Sequence, residues 1–108
     1  MRMLLNVVIP VQTGNAAVRE GKLGSTLQQI IADLKPEAAY FTETNGTRSG
    51  FIFFDMKDSS QLTAIAEPWF LAFNATVSVK PAMNAQDLAA GAASMESAAK
   101  AYPKTFGS

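Results

Sequence analysis

The sequence predicts an α+β domain whose elements run β-α-β-β-α-β, closed by one more helix. Three observations carry that expectation. Two segments, residues 3–9 and 50–57, read as strands with apolar side chains on both faces. Two stretches with helical apolar spacing follow them, at residues 16–34 and 58–73. An Asn45-Gly46 pair sits between the second and third strands, where a tight hairpin would fall. A length of 108 residues allows one core and therefore one domain, spanning 1–108.

Composition narrows the function classes. Hydrophobic residues make up 48% and charged residues 17%, which is globular rather than disordered composition. Nine Lys and Arg balance nine Asp and Glu. A neutral chain carries no electrostatic footprint for nucleic acid or an anionic membrane. There is no cysteine, so disulfides, thiolate nucleophiles and Cys-ligated zinc are excluded. There is no histidine either, which removes the commonest general base, haem ligand and metal ligand together. No metal and no cofactor is expected. No run approaches the roughly 20 apolar residues of a membrane helix. Residues 1–11 superficially suggest a secretory leader, but Asn6 and Pro10 interrupt the apolar run and no small-residue cleavage site follows. They read instead as a first strand, and the expected location is cytoplasmic. The sequons at Asn45 and Asn74 then read as chance.

The elements follow in order. In the first strand, Met3, Leu5, Val7 and Ile9 share one side, while Leu4 and Val8 flank Asn6 on the other. Apolar residues on both sides mean both faces are covered. Residues 10–15 read as a loop ended by Thr13, Gly14 and Asn15. The first helix, 16–34, has Leu23, Leu27, Ile30, Ile31 and Leu34 on one stripe. Gly21 and Gly24 weaken its first half, Ser25 offers a later cap, and Lys35-Pro36 stops it. The second strand, 37–44, places Ala39 and Phe41 on one face and Tyr40, Thr42 and Thr44 on the other. Asn45-Gly46 suits a hairpin because both residues tolerate positive φ. In the third strand, Phe51 and Phe53 alternate with Ile52, Phe54 and Met56.

Asp58, Ser59 or Ser60 caps the second helix, whose stripe is Leu62, Ile65, Ala66, Trp69, Phe70 and Phe73. Pro68 falls inside it and predicts a kink or break near Ala64. The fourth strand, 75–80, places Val77 and Val79 opposite Thr76, Ser78 and Lys80, and Pro81 ends it. Asn84 and Asp87 form a capping-box pattern at the start of a third helix that runs to about Tyr102. Its stripe of Leu88, Ala92, Met95, Ala99 and Tyr102 is thin and alanine-rich, so this helix needs the domain or a partner to lie on. Residues 103–108 read as a frayed tail.

This order is a split β-α-β unit, in which right-handed crossovers put strands one and three in the centre of a four-stranded antiparallel sheet. Those are the two strands that are apolar on both faces. Both helices then cover one face. A second subunit is the simplest cover for the other, which would otherwise expose several hundred Å2 of apolar surface. A homodimer packed through its sheet faces is expected.

Three stretches resemble small bacterial proteins of the dimeric α/β barrel superfamily. They are Arg48-Ser49-Gly50-Phe51-Ile52-Phe53-Phe54-Asp55-Met56, Glu67-Pro68-Trp69-Phe70 and Val79-Lys80-Pro81-Ala82-Met83. The resemblance spans nearly the whole chain as pattern and contains no catalytic motif. It implies a ferredoxin-like domain that pairs sheet to sheet around a cavity. Members of the superfamily include cofactor-free monooxygenases, isomerases, haem enzymes and proteins with no known activity, so the resemblance does not choose a function. The histidines several of those enzymes use are absent here.

RNA-recognition domains share this element order, and Ser49-Gly50-Phe51-Ile52-Phe53 resembles their third-strand motif. Ser49 stands where a basic residue belongs, the first strand lacks the partner aromatic, and net charge is zero. No nucleic-acid partner is expected.

Five residues are candidate ligand contacts. Asn6 interrupts a central apolar strand, so its amide either bonds a neighbouring backbone or Ser78, or points into a cavity. Tyr40 and Lys80 are polar residues of edge strands, either solvated or lining a cavity wall. Asp55 ends the third strand, as an ion-pair partner or, without histidine, a base. Trp69 beside Pro68 is either core or a cavity mouth. No catalytic residue is assigned. The leading expectation is a homodimer that binds a small hydrophobic molecule in an apolar cavity. The alternatives are a cofactor-independent monooxygenase or isomerase using Tyr40, Asp55 or Lys80, and a structural or regulatory interaction module.

Overall fold

The computed structural model describes residues 1–107. Strand β1 (Arg2–Val8) leads through helices α1 (Val11–Arg19) and α2 (Leu23–Leu34) to the hairpin of β2 (Ala38–Thr44) and β3 (Thr47–Asp55). A single 3-10 turn, Ser59–Gln61, opens α3 (Leu62–Phe73), and β4 (Thr76–Pro81) follows. Helices α4 (Ala85–Ala90) and α5 (Ala92–Ala101) end the ordered elements. The four strands form one antiparallel sheet in the order β2-β3-β1-β4. Its inner strands are the two whose sequences are apolar on both faces.

Alternation along the strands divides the sheet into two unlike faces. Met3, Leu5 and Val7 of β1 and Ile52 and Phe54 of β3 are buried on the first face. They form one core with Ile30 of α2 and Ile65, Trp69 and Phe73 of α3. The periodicities of 2 in the strands and 3.6 in the helices therefore meet on this side of the sheet.

The hairpin starts β3 three residues earlier than the sequence predicts. Asn45 and Gly46 have φ of 52° and 80°, the left-handed pair a two-residue hairpin requires. The Gly46 N–H also donates to the Glu43 carboxylate at 2.6 Å.

Three helical expectations need correction. Residues 10–15 are not a loop, because α1 begins at Val11 and includes Gly14. A Cβ on Gly14 would lie 2.7 Å from Arg48 Nη1 and 3.4 Å from Ile9 Cγ2. Glycine lets the helix lie against β3, where Arg48 Nη1 donates to Asn15 Oδ1 at 3.0 Å. Tertiary contact here outweighs the loop preference of Thr-Gly-Asn. The single helix predicted over 16–34 is two helices, divided at Gly21 with φ of 69°. Ser25 does not cap the second; its hydroxyl donates to the Lys22 carbonyl. Finally, α3 does not break near Ala64 but continues through Pro68, which leaves the Ala64 carbonyl without its usual donor four residues on.

The predicted capping box at Asn84 is present. The Asp87 N–H donates to Asn84 Oδ1 at 2.8 Å, and the Asn84 N–H donates to Asp87 Oδ2 at 3.0 Å. The helix that follows is divided into α4 and α5 at Gly91, and neither part buries a side chain. These two helices stand away from the sheet. The radius of gyration is 18.1 Å, against about 13 Å for a compact chain of this length. The longest dimension is 58 Å. No regular element follows α5 among residues 102–107, and Ser108, the end of the predicted tail, lies outside the described residues.

Candidate functional site

The second face of the sheet carries no helix of the core. None of its apolar residues Leu4, Val8, Phe51 and Phe53 joins the core cluster, and all four are half-buried. Register places the side chains of this face in three rows. The middle row runs Tyr40, Phe51, Asn6, Ser78 across β2, β3, β1 and β4. On one side lies Ala38, Phe53, Leu4, Lys80; on the other, Thr42, Ser49, Val8, Thr76. The floor is thus mostly apolar along the inner strands, interrupted by Asn6 and Ser49, and polar along most of both edge strands. The inner strands supply Leu4, Val8, Phe51 and Phe53 with Asn6 and Ser49, while β2 and β4 supply Ala38, Tyr40, Thr42, Thr76, Ser78 and Lys80.

Four of the five candidate residues belong to this face. Asn6 lies at its centre, half-buried, and its Nδ2 donates to the Gly50 carbonyl at 3.0 Å. Of the two readings the sequence posed for Asn6, the bond to a neighbouring backbone is the one present. Tyr40 is 64% exposed on the β2 edge. Strand spacing puts it about 10 Å from Asn6. Lys80 is exposed on the β4 edge, one row away. Asp55 lies at the rim by register, opposite Arg2.

Asp55 is engaged. The Met1 ammonium donates to its Oδ1 at 2.7 Å. That hydrogen bond, and then the charge behind it, hold the Asp55 carboxyl below its ordinary value of 3.8. A lowered carboxylate is a weaker base, so the environment moves Asp55 away from proton abstraction near neutral pH. Trp69 is elsewhere. It is fully buried between α3 and the first face, 6.2 Å from the Phe73 ring centroid, and its indole Nε1 has no partner. The structure therefore brings Asn6, Tyr40, Lys80 and Asp55 to one side of the sheet and leaves Trp69 on the other.

Further concavities lie away from this face, among them a shallow one of about 330 Å3 at the rim, lined by Arg2, Lys35, Pro36, Glu37, Phe54 and Asp55. A cleft of about 290 Å3 opens between α2 and α3, walled by Asp33, Leu34, Gln61, Ala64 and Pro68, with Asp55 at its edge. Asp33 and Gln61 escape sequence reasoning because each reads as an ordinary polar residue of a solvated helix face. Pro68 gave a hint, since its missing N–H frees the carbonyl of Ala64 beside it. Gln61 Oε1 is already occupied, accepting from the N–H groups of Lys57 at 2.8 Å and Asp58 at 3.2 Å. The two carboxylates have no third metal-ligating neighbour among the described residues. A smaller space of about 130 Å3 lies between α2 and β2, lined by Leu23, Leu27, Phe41 and Gly50. Typical ligand sites occupy about 300–1,000 Å3.

The open face combines half-buried apolar side chains with a few polar groups, Asn6 among them. Among the described residues no helix is long and apolar enough to cross a membrane. Compared with models of known families and with curated proteins, the chain matches none, so its architecture and this face are what characterise it.

Proposed function

We propose that this chain is a ferredoxin-like domain of the dimeric α/β barrel type, acting as a homodimer that binds a small hydrophobic molecule against its open sheet face. One observation carries the reading. The two inner strands present Leu4, Val8, Phe51 and Phe53 on a face that no helix of the core covers. Apolar surface of that kind is retained where a partner or ligand removes it from water. Asn6 at the centre, with Tyr40 and Lys80 at the edges, supplies the polar contacts that would orient a hydroxyl or carboxylate on the bound molecule. The reading is one of binding rather than turnover, because the carboxylates at the margin of this face are engaged in ion pairs, Asp55 with the Met1 ammonium and Glu37 and Asp87 with Arg2.

Methyl-resolved NMR tests it. Titration with phenol and with hexanoate should shift the Leu4 and Val8 methyls saturably while leaving Leu5 and Val7, on the helix face, in place. Absence of shifts with either probe would leave an interaction module with a packed seam.

A further inference from the structure

Helices α4 and α5 are tied to their own chain only at the first turn, and no apolar contact orders the rest. They bury no side chain, and the molecule extends 58 Å because they stand clear of the sheet. Isolated helices shorter than about 12–15 residues are marginal in water. These have 6 and 10 residues, with Gly91 between them. Glycine within a helix costs a further ~1 kcal/mol against alanine. Such an arm needs a surface.

Its sequence says what kind of surface. Leu88, Ala92, Met95, Ala99 and Tyr102 recur at alternating spacings of 4 and 3, the seam of a helix that packs along its length. Leu88, Met95 and Tyr102 are all exposed, and the alanines between them allow close approach. Asp87 and Glu96 are balanced by Lys100 and Lys104, which gives the arm no net attraction for a lipid headgroup or a nucleic acid. A surface with an apolar middle fits, and this chain has one: the Leu4, Val8, Phe51 and Phe53 side chains of its own second sheet face, whose charged residues Arg2, Asp55 and Lys80 lie at the margins.

The arm does not lie on the sheet it comes from. Arg2 Nη1 donates to Asp87 Oδ2 at 3.2 Å, and the Ala82 N–H donates to the Arg2 carbonyl at 3.1 Å. These bonds fix the first turn beside the start of β1, and the arm leads away from there. Area supports exchange between two copies. The open face measures about 19 by 20 Å, or roughly 400 Å2 in projection. A standard interface needs about 800 Å2 from each partner. One side of the arm adds about 24 by 10 Å. Laid across the partner's face, the arm covers about 240 Å2 of that face and as much of itself, so the two symmetric contacts bury roughly 480 Å2 of each copy in projection, more than the face could bury alone.

We propose that the arm is exchanged between two copies of this chain. Each α4–α5 pair lies along the open face of the other subunit and closes the ligand space there with Leu88, Met95 and Tyr102. Two-fold symmetry satisfies both unpartnered surfaces of both chains at once. The site is incomplete in one copy, since a flat sheet cannot enclose the 70–90% of a ligand's surface that binding sites bury. The inference rests on the homodimer and ligand site proposed above, and adds the arm to them.

The full-length chain allows a direct test. Ser97 lies on the side of α5 opposite the seam, and the sequence has no cysteine to compete for a label. Unlabelled Ser97→Cys chain carrying a nitroxide is mixed, and equilibrated, with methyl-labelled wild type. The Leu4 and Val8 methyls of the wild-type chain should broaden more than Leu5 and Val7, and Met95→Glu should weaken self-association roughly tenfold or more. A dimer without intermolecular broadening overturns the exchanged arm and leaves the ligand site standing. A monomer overturns both.

Discussion

Trp69 gives the most quantitative test of the core. The side chain is 0% exposed, the tryptophan is the chain's only one, and its Nε1 has no hydrogen-bond partner among the described residues. Two effects oppose each other there. Truncation to alanine removes a large buried aromatic and leaves a cavity, which costs about 3–5 kcal/mol. That is a large part of the ~5–15 kcal/mol by which a domain of this size is stable. Replacement by phenylalanine also removes volume. Roughly 40 Å3 of void at ~24 cal/mol per Å3 costs about 1 kcal/mol, with a similar loss of transfer energy. The same change removes an unpaired buried donor, whose desolvation costs about 1–3 kcal/mol. The terms offset, so Trp69→Phe should fall within ~1 kcal/mol of wild type while Trp69→Ala loses several. Urea unfolding followed by far-UV circular dichroism reads both variants. A Phe variant as damaged as the Ala variant would refute the reasoning, because it would mean the indole N–H makes a bond worth keeping.

Two other predictions concern the sheet and its acid limb. A Cβ on Gly50 would sit 3.1 Å from two ring carbons of Phe41 and 3.3 Å from Val7 Cγ2. Gly50→Ala should therefore destabilise by about 1–3 kcal/mol through overpacking. Pairing it with Phe41→Leu should recover part of that loss in the same urea assay. Asp55 and Asp58 both have carboxyls lowered below 3.8, the first by the Met1 ammonium and the second by accepting from Ser60. Their folded values lie below the unfolded one, so the stability they contribute is present above pH ~4 and lost as pH falls through the folded values. The double variant Asp55→Asn, Asp58→Asn should show a shallower fall in Tm over that acid range and no change in slope between pH 6 and 8. An unchanged acid limb would show that these contacts do not persist in solution.

The legible parts of the fold were those in which one local pattern met one physical demand. Alternation marked β1 and β3 because burial on one face and partial burial on the other both need apolar side chains. Asn45-Gly46 marked its hairpin because few other pairs accept two positive φ values. The stripe from Leu62 to Phe73 marked α3 despite Pro68, since burial of Ile65, Trp69 and Phe73 outweighs one lost backbone bond, although Leu62 and Phe70 of the same stripe stay exposed. The misplaced parts depended on distant residues. Gly14 reads as a loop former until Arg48 is known to lie over it, 34 residues away in sequence. Gly91 and Gly21 look alike in sequence, yet only Gly21 takes a left-handed φ. At the open face, alternation put Tyr40 and Lys80 on the polar sides of their edge strands, but that Asn6 shares a face with them followed only once the pairing was known. Trp69 could not be assigned this way: a helix stripe says that a residue is buried, not which side of the sheet buries it.

The claim on which the account rests is that the second sheet face is covered by another copy of this chain. Sedimentation equilibrium of the full-length protein at micromolar concentration addresses it most directly, with Phe51→Lys as the paired variant. Phe51 lies in the central row of that face and outside the core cluster, so the change tests the face without hollowing the core. The account predicts a species of twice 11.5 kDa for the wild type and a folded monomer for Phe51→Lys. A wild-type chain that sediments at 11.5 kDa across that range would contradict it.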